Sequence, residues 1–252
     1  MLPPKDKIFF YPDRPSKMSV IYKILKTLDV EISRNKNADY KFGIFWKNRT
    51  KTKLSWPVAT TKFIINKYCQ DISKKYVDEV HLSVFGYNTA IDPTVYSEKY
   101  VQKWNLNGIH LGKIKNKKSK PRSWYFYQKL INNTESDQVI DWRIPIFGCA
   151  VPFVYKKYRT LKKRFSNINS RVEIKEFTKV FSDDEIKLIF KFCLQMGLDY
   201  GEIDVLRDKD SKKIFIIDVN KTPWGPPNGL DNNSKKEAIK IMADYFKNNF
   251  LS

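Results

Sequence analysis

Histidine is nearly missing from this chain: His81 and His110 are the only two in 252 residues. That scarcity argues against a histidine-built zinc site or a Ser–His–Asp arrangement. Cysteine is scarce as well. Cys69, Cys149 and Cys193 are odd in number and far apart, which suits neither a disulfide framework nor a zinc knuckle. The simplest expectation is a reducing, cytoplasmic compartment, with the thiols as small core residues. No stretch approaches the roughly 18 consecutive apolar residues of a membrane span. The opening MLPPKDKIFFYPD lacks the roughly 7–15-residue apolar core of a secretory signal. Internal repeats and low-complexity linkers are absent too.

What is there points to a folded globule. Hydrophobic residues make up 42% and aromatics 15%, ample for a packed core and unlike a disordered chain. The length allows one large domain or two to three lobes. The net charge is +20. It predicts attraction to anions such as nucleotides, phosphorylated metabolites, polyanionic glycans, nucleic acid or acidic lipid, without choosing among them. Lysine-rich coding from an AT-rich genome is a plain source of part of that charge.

Strands and helices alternate along the chain. Lys7–Tyr11 and Tyr40–Trp46 read as strands. Ser16–Leu28 has helical spacing, with Met18, Ile21, Ile24, Leu25 and Leu28 on one side. Asp71-Ile72-Ser73 opens a helix. Val84–Tyr87, Tyr100–Trp104 and Tyr125–Ile131 read as strands, and Asp141–Phe147 with Val151–Tyr155 as a hairpin around Gly148. Ser182 and Glu185 form a capping box for a helix over 184–196 that Gly197 ends. A last helix covers roughly 234–250. The mixture predicts an α+β or mixed α/β enzyme of several lobes.

The most informative segment is GLDYGEIDVLRDKDSKKIFIIDVNKTPWGPP, Gly197 to Pro227. Alternation along a strand puts Asp218 and Asn220 on one face, with Ile217 and Val219 on the other. Glu202, Asp204 and Leu206 share a face of the partner strand. Pairing Asp208 with Ile214 sets Asp204 opposite Asp218 and Glu202 opposite Asn220. Directly opposed side chains start only about 4.5–5.5 Å apart, so two carboxylates there repel unless a cation intervenes. A hard divalent cation such as Mg²⁺, with oxygen ligands at about 2.0–2.1 Å, resolves the conflict. Asp204, Asp218 and Asn220 form such a donor set. The plain alternative is a solvated edge hairpin with Lys212 and Lys213 as partners. Glu202 stays open between ligand, supporting acid and exposed residue.

GLDYGEIDVLRD…IFIIDVNKTP resembles the metal-binding end of the ATP-grasp superfamily, with Asp218 where many members carry Glu. The resemblance spans roughly residues 71–223. It implies two α+β lobes sandwiching ATP, preceded by a small α/β pre-domain: residues 1–65, 66–126 and 127–252. It implies ATP and Mg²⁺ as cofactors, the ion held by Asp204, Asp218 and Asn220. YQKLI resembles the strand linking the lobes, so Gln128, Lys129 and Ile131 stand at the adenine, mainly through backbone. VQKWNLNGIHLGK resembles the strand lysine and phosphate loop, which assigns Lys103, Gly108, His110 and Gly112. DISKK resembles the lysine at the start of the lobe, Lys74 or its neighbour Lys75. Asp141-Trp142-Arg143 and KKYRTLKKRFSNIN supply Arg143, Arg159, Arg164 and Asn167 toward the γ-phosphate and substrate. A structural Arg–Asp pair is the plain alternative for the first.

The resemblance implies an ATP-dependent carboxylate–amine ligase acting through an acyl phosphate on anionic small-molecule or glycan acids and amines. A kinase phosphorylating a hydroxyl on the same scaffold is the alternative. Nothing in the chain resembles a named nucleic-acid motif, so nucleic acid is not an expected partner despite Tyr155 and Tyr158 among basic residues.

Overall fold

The computed structural model describes residues 5–53, 56–57, 61–109 and 111–252. Three sheets organise it. The first is parallel, in the order β2-β1-β3-β4, from β1 (Lys7–Pro12), β2 (Glu31–Ser33), β3 (Phe42–Trp46) and β4 (Ile64–Ile65), with α1 (Val20–Thr27) between β1 and β2. The apolar side of α1 (Val20, Ile21, Ile24, Leu25) is buried. Parallel strands need such a crossover, which covers the sheet as it returns the chain.

After α2 (Lys74–Phe85) comes a small antiparallel sheet, β6-β5-β7, from β5 (Tyr100–Trp104), β6 (Lys113–Lys115) and β7 (Tyr125–Lys129). The largest sheet follows. It contains β8 (Thr134–Glu135), β9 (Gln138–Phe147), β10 (Val154–Thr160), β11 (Arg171–Lys175), β12 (Tyr200–Arg207) and β13 (Ile214–Asn220). Its antiparallel path runs β11-β10-β9-β12-β13, and β8 pairs with β9. Two helices, α3 (Phe177–Val180) and α4 (Asp183–Met196), separate β11 from β12. The chain closes with α5 (Asn232–Phe246) and a π-helical stretch over Lys247–Leu251.

The two faces of the large sheet differ in chemistry. Ile144, Ile146, Ile203, Val205, Ile216 and Val219 face one way and join a core with Val77 and Val80 of α2 and Ile189 and Phe192 of α4. Arg143, Lys157, Arg159, Glu202, Asp204 and Asp218 line a cleft on the other side. Period-two alternation in β9, β10 and β12 produces both faces from one set of strands. The first sheet reaches this body through a second core: Ile8, Phe10 and Ile44 meet Met242 and Phe246 of α5 and Tyr155 and Tyr200 of the large sheet.

The capping box at Ser182 is formed: its side chain accepts from Glu185 N–H, while the Glu185 carboxylate accepts from Ser182 N–H. Ser73 caps α2 by accepting from Tyr76 N–H. Three expectations need correction. Val84–Tyr87 is not a strand; α2 runs on to Phe85 and stops at Gly86, because Val84 continues the buried side that Val77, Val80 and His81 establish. Cys149 is exposed in the turn between β9 and β10, whereas Cys69 and Cys193 are core residues. The β12–β13 register also differs near its turn. Arg207, not Asp208, pairs with Ile214, and Asp208 closes the turn by donating its N–H to the Lys213 carbonyl. A bulge between Asp204 and Val205 takes up the extra residue of β13 and restores the pairing Asp204↔Asp218. Ile217 therefore packs beside Ile131, Leu206 and Phe215, on the opposite side from Val219 and Ile216.

Candidate active site

The carboxylate hairpin lies where alternation placed it. Glu202 pairs with Asn220, and Asp204 with Asp218, across β12 and β13. All four line a cleft of about 1140 Å³ together with Arg143, Lys157, Arg159, Asn107 and Gly108. The acids do not stand alone. Arg143 grips Asp204 side-on, Nε to Oδ1 at 2.9 Å and Nη2 to Oδ2 at 3.0 Å. Lys157 Nζ donates to Asp204 Oδ1 at 2.8 Å, and Arg143 Nη1 lies 3.4 Å from Glu202 Oε2. Lys74, on the first turn of α2, donates to Asp218 Oδ1 and to Asn107 Oδ1. Three carboxylates are thus matched by three cations drawn from β9, β10 and α2. Buried charges persist only with such pairing.

The electrostatics follow from that packing. Burial favours protonation of Asp204, but the charges of Arg143 and Lys157 outweigh it and hold the carboxyl well below its ordinary range. Glu202 has less support. Burial, aided by the charge of Asp204, pushes it up to about 7 against Arg143 and Lys157. Lys103 is pushed down to about 7, first by burial and then by the charge of Lys74, with Asp218, Asp78 and Asp141 opposing. Among the described residues Lys103 makes no ion pair; its Nζ sits 5.9 Å from the centre of the Phe126 ring.

Of the two candidate lysines at the start of α2, Lys74 is buried and enters the site, while Lys75 is exposed and lies 3.9 Å from Glu79. Gly108 lines the cleft at φ +76, a backbone conformation that suits glycine. Gly112 has a different role: a Cβ there would lie 2.6 Å from the Phe165 ring, which packs against it. His110 lies outside the described residues. On β7 and just beyond it, Lys129 N–H donates to the Thr89 carbonyl at 2.8 Å, and the Ile131 carbonyl accepts from Asn133 N–H. Gln128 is buried, with an Oε1 that has no hydrogen-bond partner among the described residues.

Arg159 lines the cleft and is held by Asp141 Oδ2, Asn169 Oδ1 and the Arg164 carbonyl. Asp141 is thus the partner of Arg159, and Arg143 that of Asp204. Arg164 is not among the cleft residues; its Nη2 bonds Asn133 Oδ1 at 3.1 Å. Asn167 is in the cleft. Lys157 escaped the sequence analysis. Its signal was the alternation Tyr155, Lys157, Arg159 on β10, which commits Lys157 to the same side as Arg159.

Among the described residues no three His, Cys, Asp or Glu side chains gather into a metal-binding group. The oxygen donors a cation could use are those of Asp204, Asp218 and Asn220 on adjacent strands, with Arg143 and Lys157 now holding both Asp204 oxygens and Lys74 holding Asp218 Oδ1. That chemistry fits a hard ion that keeps part of its water shell. The Asn220 Oδ1 already accepts from Thr222 N–H at 3.0 Å, which fixes its orientation.

No protein-family model matches the sequence, and no curated protein does. Solved structures do. The chain superposes on the Chryseobacterium gregarium RiPP-associated ATP-grasp ligase, in complex with ADP and a leader and core peptide, at a TM-score of 0.58 and 12% identity, over 96% of this chain and 97% of that one. For the D-alanine–D-alanine ligase of Bacillus anthracis complexed with ATP, the TM-score is 0.58 at 14% identity, over 98% and 96%. For the macrocyclase MdnC of Microcystis aeruginosa bound with precursor peptide MdnA, it is 0.54 at 9%, over 96% and 99%. The chain spans just under two thirds (65%) of the length of the ligase PsnB, at a TM-score of 0.46. The first three likenesses define the architecture. The chain has the ATP-grasp fold. No helix among the described residues is long and apolar enough to cross a membrane.

Proposed function

We propose that this chain is an ATP-dependent ligase that joins a carboxylate to an amine through an acyl phosphate. The observation that carries the proposal is the in-register opposition of Asp204 and Asp218, with Asn220 beside them, on the polar face of an ATP-grasp sheet. ATP is the natural nucleotide: two structures of the same fold hold ATP or ADP. On this reading Lys74 and Lys103 bind phosphate oxygens, and Asn107–Gly108 presents backbone N–H groups to them. Gln128 Oε1 is an orphan acceptor suited to an amino donor such as the adenine edge. Asp204, Asp218 and Asn220 would hold Mg²⁺, which would neutralise phosphate charge and orient the transfer. Lys74 would then exchange its bond to Asp218 for one to phosphate.

A substrate carboxylate oxygen attacks the γ-phosphorus. The bond to the bridging oxygen breaks, and ADP leaves with the electron pair. The amine nitrogen then attacks the acyl carbon, the C–O bond to phosphate breaks, and the amine proton passes to solvent. Arg143 and Arg159 stabilise the charge on the reacting oxygens, and Arg164 positions Arg159 through its carbonyl. No protein nucleophile is needed, in keeping with the two histidines of the chain. The three domains proposed are residues 1–65, 66–126 and 127–252. Peptide substrates gain support from the peptides named with two neighbours.

The test is ADP and phosphate release with candidate acids and amines, in the presence and absence of hydroxylamine. Hydroxamate formation is the expected result. A stable phosphate ester and no hydroxamate would replace the ligase by the kinase that the same scaffold also accommodates.

A further inference from the structure

The cleft does not end at the carboxylate hairpin. It continues between α1 and α5, where Lys23 and Lys26 of one helix face Lys235, Lys236 and Lys240 of the other. The whole cleft is lined by eight cationic side chains and three carboxylates, a formal net of +5. At the hairpin end Arg143, Lys157 and Arg159 offset Glu202, Asp204 and Asp218 in number, so the entire excess sits on these five lysines. No carboxylate lines that half. Lys240 has Glu237 at 3.9 Å, out on the exposed side of α5. Lys23 donates to the Gly225 carbonyl, and burial together with the charge of Lys235 lowers its pKa. Two helices that present like charges across a trough repel each other unless a ligand lies between them.

We infer that this trough binds an acidic peptide segment, one of whose carboxylates reaches the hairpin while its neighbours rest on the lysines. The inference rests on the ligase reading for what happens to the reaching carboxylate, but the trough stands on its own geometry. Carboxylates rather than phosphates are indicated by one feature. The N-terminus of α5 is closed, because Asp231 accepts from Asn233 and Ser234 N–H and so occupies amides that a phosphate would use. A peptide rather than a small acid is indicated by the remaining lining. Asn167, Asn228 and Asn232 can donate and accept, as backbone amides require. Met18 and Trp224, 58% and 60% exposed, offer apolar contact between the charges.

The experiment is fluorescence anisotropy of a labelled hexaglutamate peptide with the full chain, without nucleotide. Saturable binding that weakens with salt is expected. Lys235→Glu combined with Lys236→Glu should weaken it by about tenfold or more, and nucleotide binding, followed with a fluorescent ATP analogue, should not change. Unaltered peptide affinity in that variant would overturn the inference. So would displacement of the peptide by fructose 1,6-bisphosphate at lower concentration than by unlabelled hexaglutamate, which would make the trough a phosphate site. Peptide binding without any nucleotide binding would sink the ligase reading and leave the trough assignment standing. Nucleotide binding without peptide binding would do the reverse.

Discussion

Arg143 on β9 meets Asp204 on β12 in a two-point contact, Nε–Oδ1 and Nη2–Oδ2, with the two residues cross-strand partners in the sheet. The geometry is that of a planar fork on a carboxylate, which a lysine cannot reproduce. Removing the fork would leave Asp204 with Lys157 alone and Glu202 without its closest cation. Arg143→Ala should therefore destabilise the fold by about 3–5 kcal/mol, and Arg143→Lys by a smaller but measurable amount. Urea unfolding at neutral pH measures both. A loss below about 1 kcal/mol in Arg143→Ala would show that the pair contributes little beyond an exposed ion pair.

Asp218 bears differently on stability. Its carboxylate is bonded by Lys74 at the lip of the cleft, and its side chain keeps 23% of its surface exposed. Asn220→Ala should leave the unfolding transition close to that of the unaltered chain, whereas Asp218→Ala takes the carboxylate from buried Lys74, leaves it the neutral Asn107 Oδ1, and should lower stability measurably. Each should lower Mg²⁺-dependent ATP turnover by about 100-fold or more, as expected when a group holding transition-state charge is lost. Turnover retained in both variants would remove the metal assignment.

Much of this site could be read from residue order, because its central device is local. Two strands joined by a short turn, with acids at alternate positions, fix which residues share a face. Lys74 and its neighbour Lys75 are implied together by the resemblance of DISKK, and the phase of α2 after Ser73 buries Lys74 and exposes Lys75. What escaped depends on pairings distant in sequence. Lys157 is buried only because β9 lies between β10 and β12 and brings Asp204 within 2.8 Å of it. In YKKYR it looks like one more surface lysine. The bulge that carries Ile217 into the cluster of Ile131, Leu206 and Phe215 follows from the turn at 208–213, whose closing pair alternation alone does not reveal. The stretch Val84–Tyr87 is apolar enough for either element. Its helical state is decided by the core shared with α4.

His81 offers a pH test away from the cleft chemistry. The ring is fully buried, stacked on Phe85 with centroids 4.2 Å apart and edge-on to Tyr87, and neither nitrogen has a hydrogen-bond partner among the described residues. Burial, with a smaller contribution from the charge of Lys129, pushes its pKa down to about 3 from 6.5. In that window the unfolded chain binds a proton that the folded chain refuses. Stability from this group is complete above 6.5 and is lost as pH falls toward 3, by at most about 1.4 kcal/mol per pH unit. Urea midpoints at pH 7 and pH 5 should differ more in the unaltered chain than in His81→Phe. Equal differences would mean that His81 titrates normally.

Gly201 ties strand packing to the site. It lies on β12 one residue before Glu202, and a Cβ built there would stand 2.5 Å from the Asn220 carbonyl oxygen and 2.9 Å from Leu198 Cδ1. The first of these is backbone of β13, so no side-chain rotation relieves the clash; the strands must part. Gly201→Ala should cost about 1–3 kcal/mol, the range for an added methyl in packed surroundings. It should also shift Asn220 relative to Asp204 and raise the Mg²⁺ concentration needed for half-maximal ATP turnover. Leu198→Ala, which removes only the second contact and leaves β13 free, is the control. It should not rescue the Mg²⁺ requirement when combined with Gly201→Ala. Full rescue by Leu198→Ala would place the clash in the side chain and would free Asn220 from any dependence on the glycine.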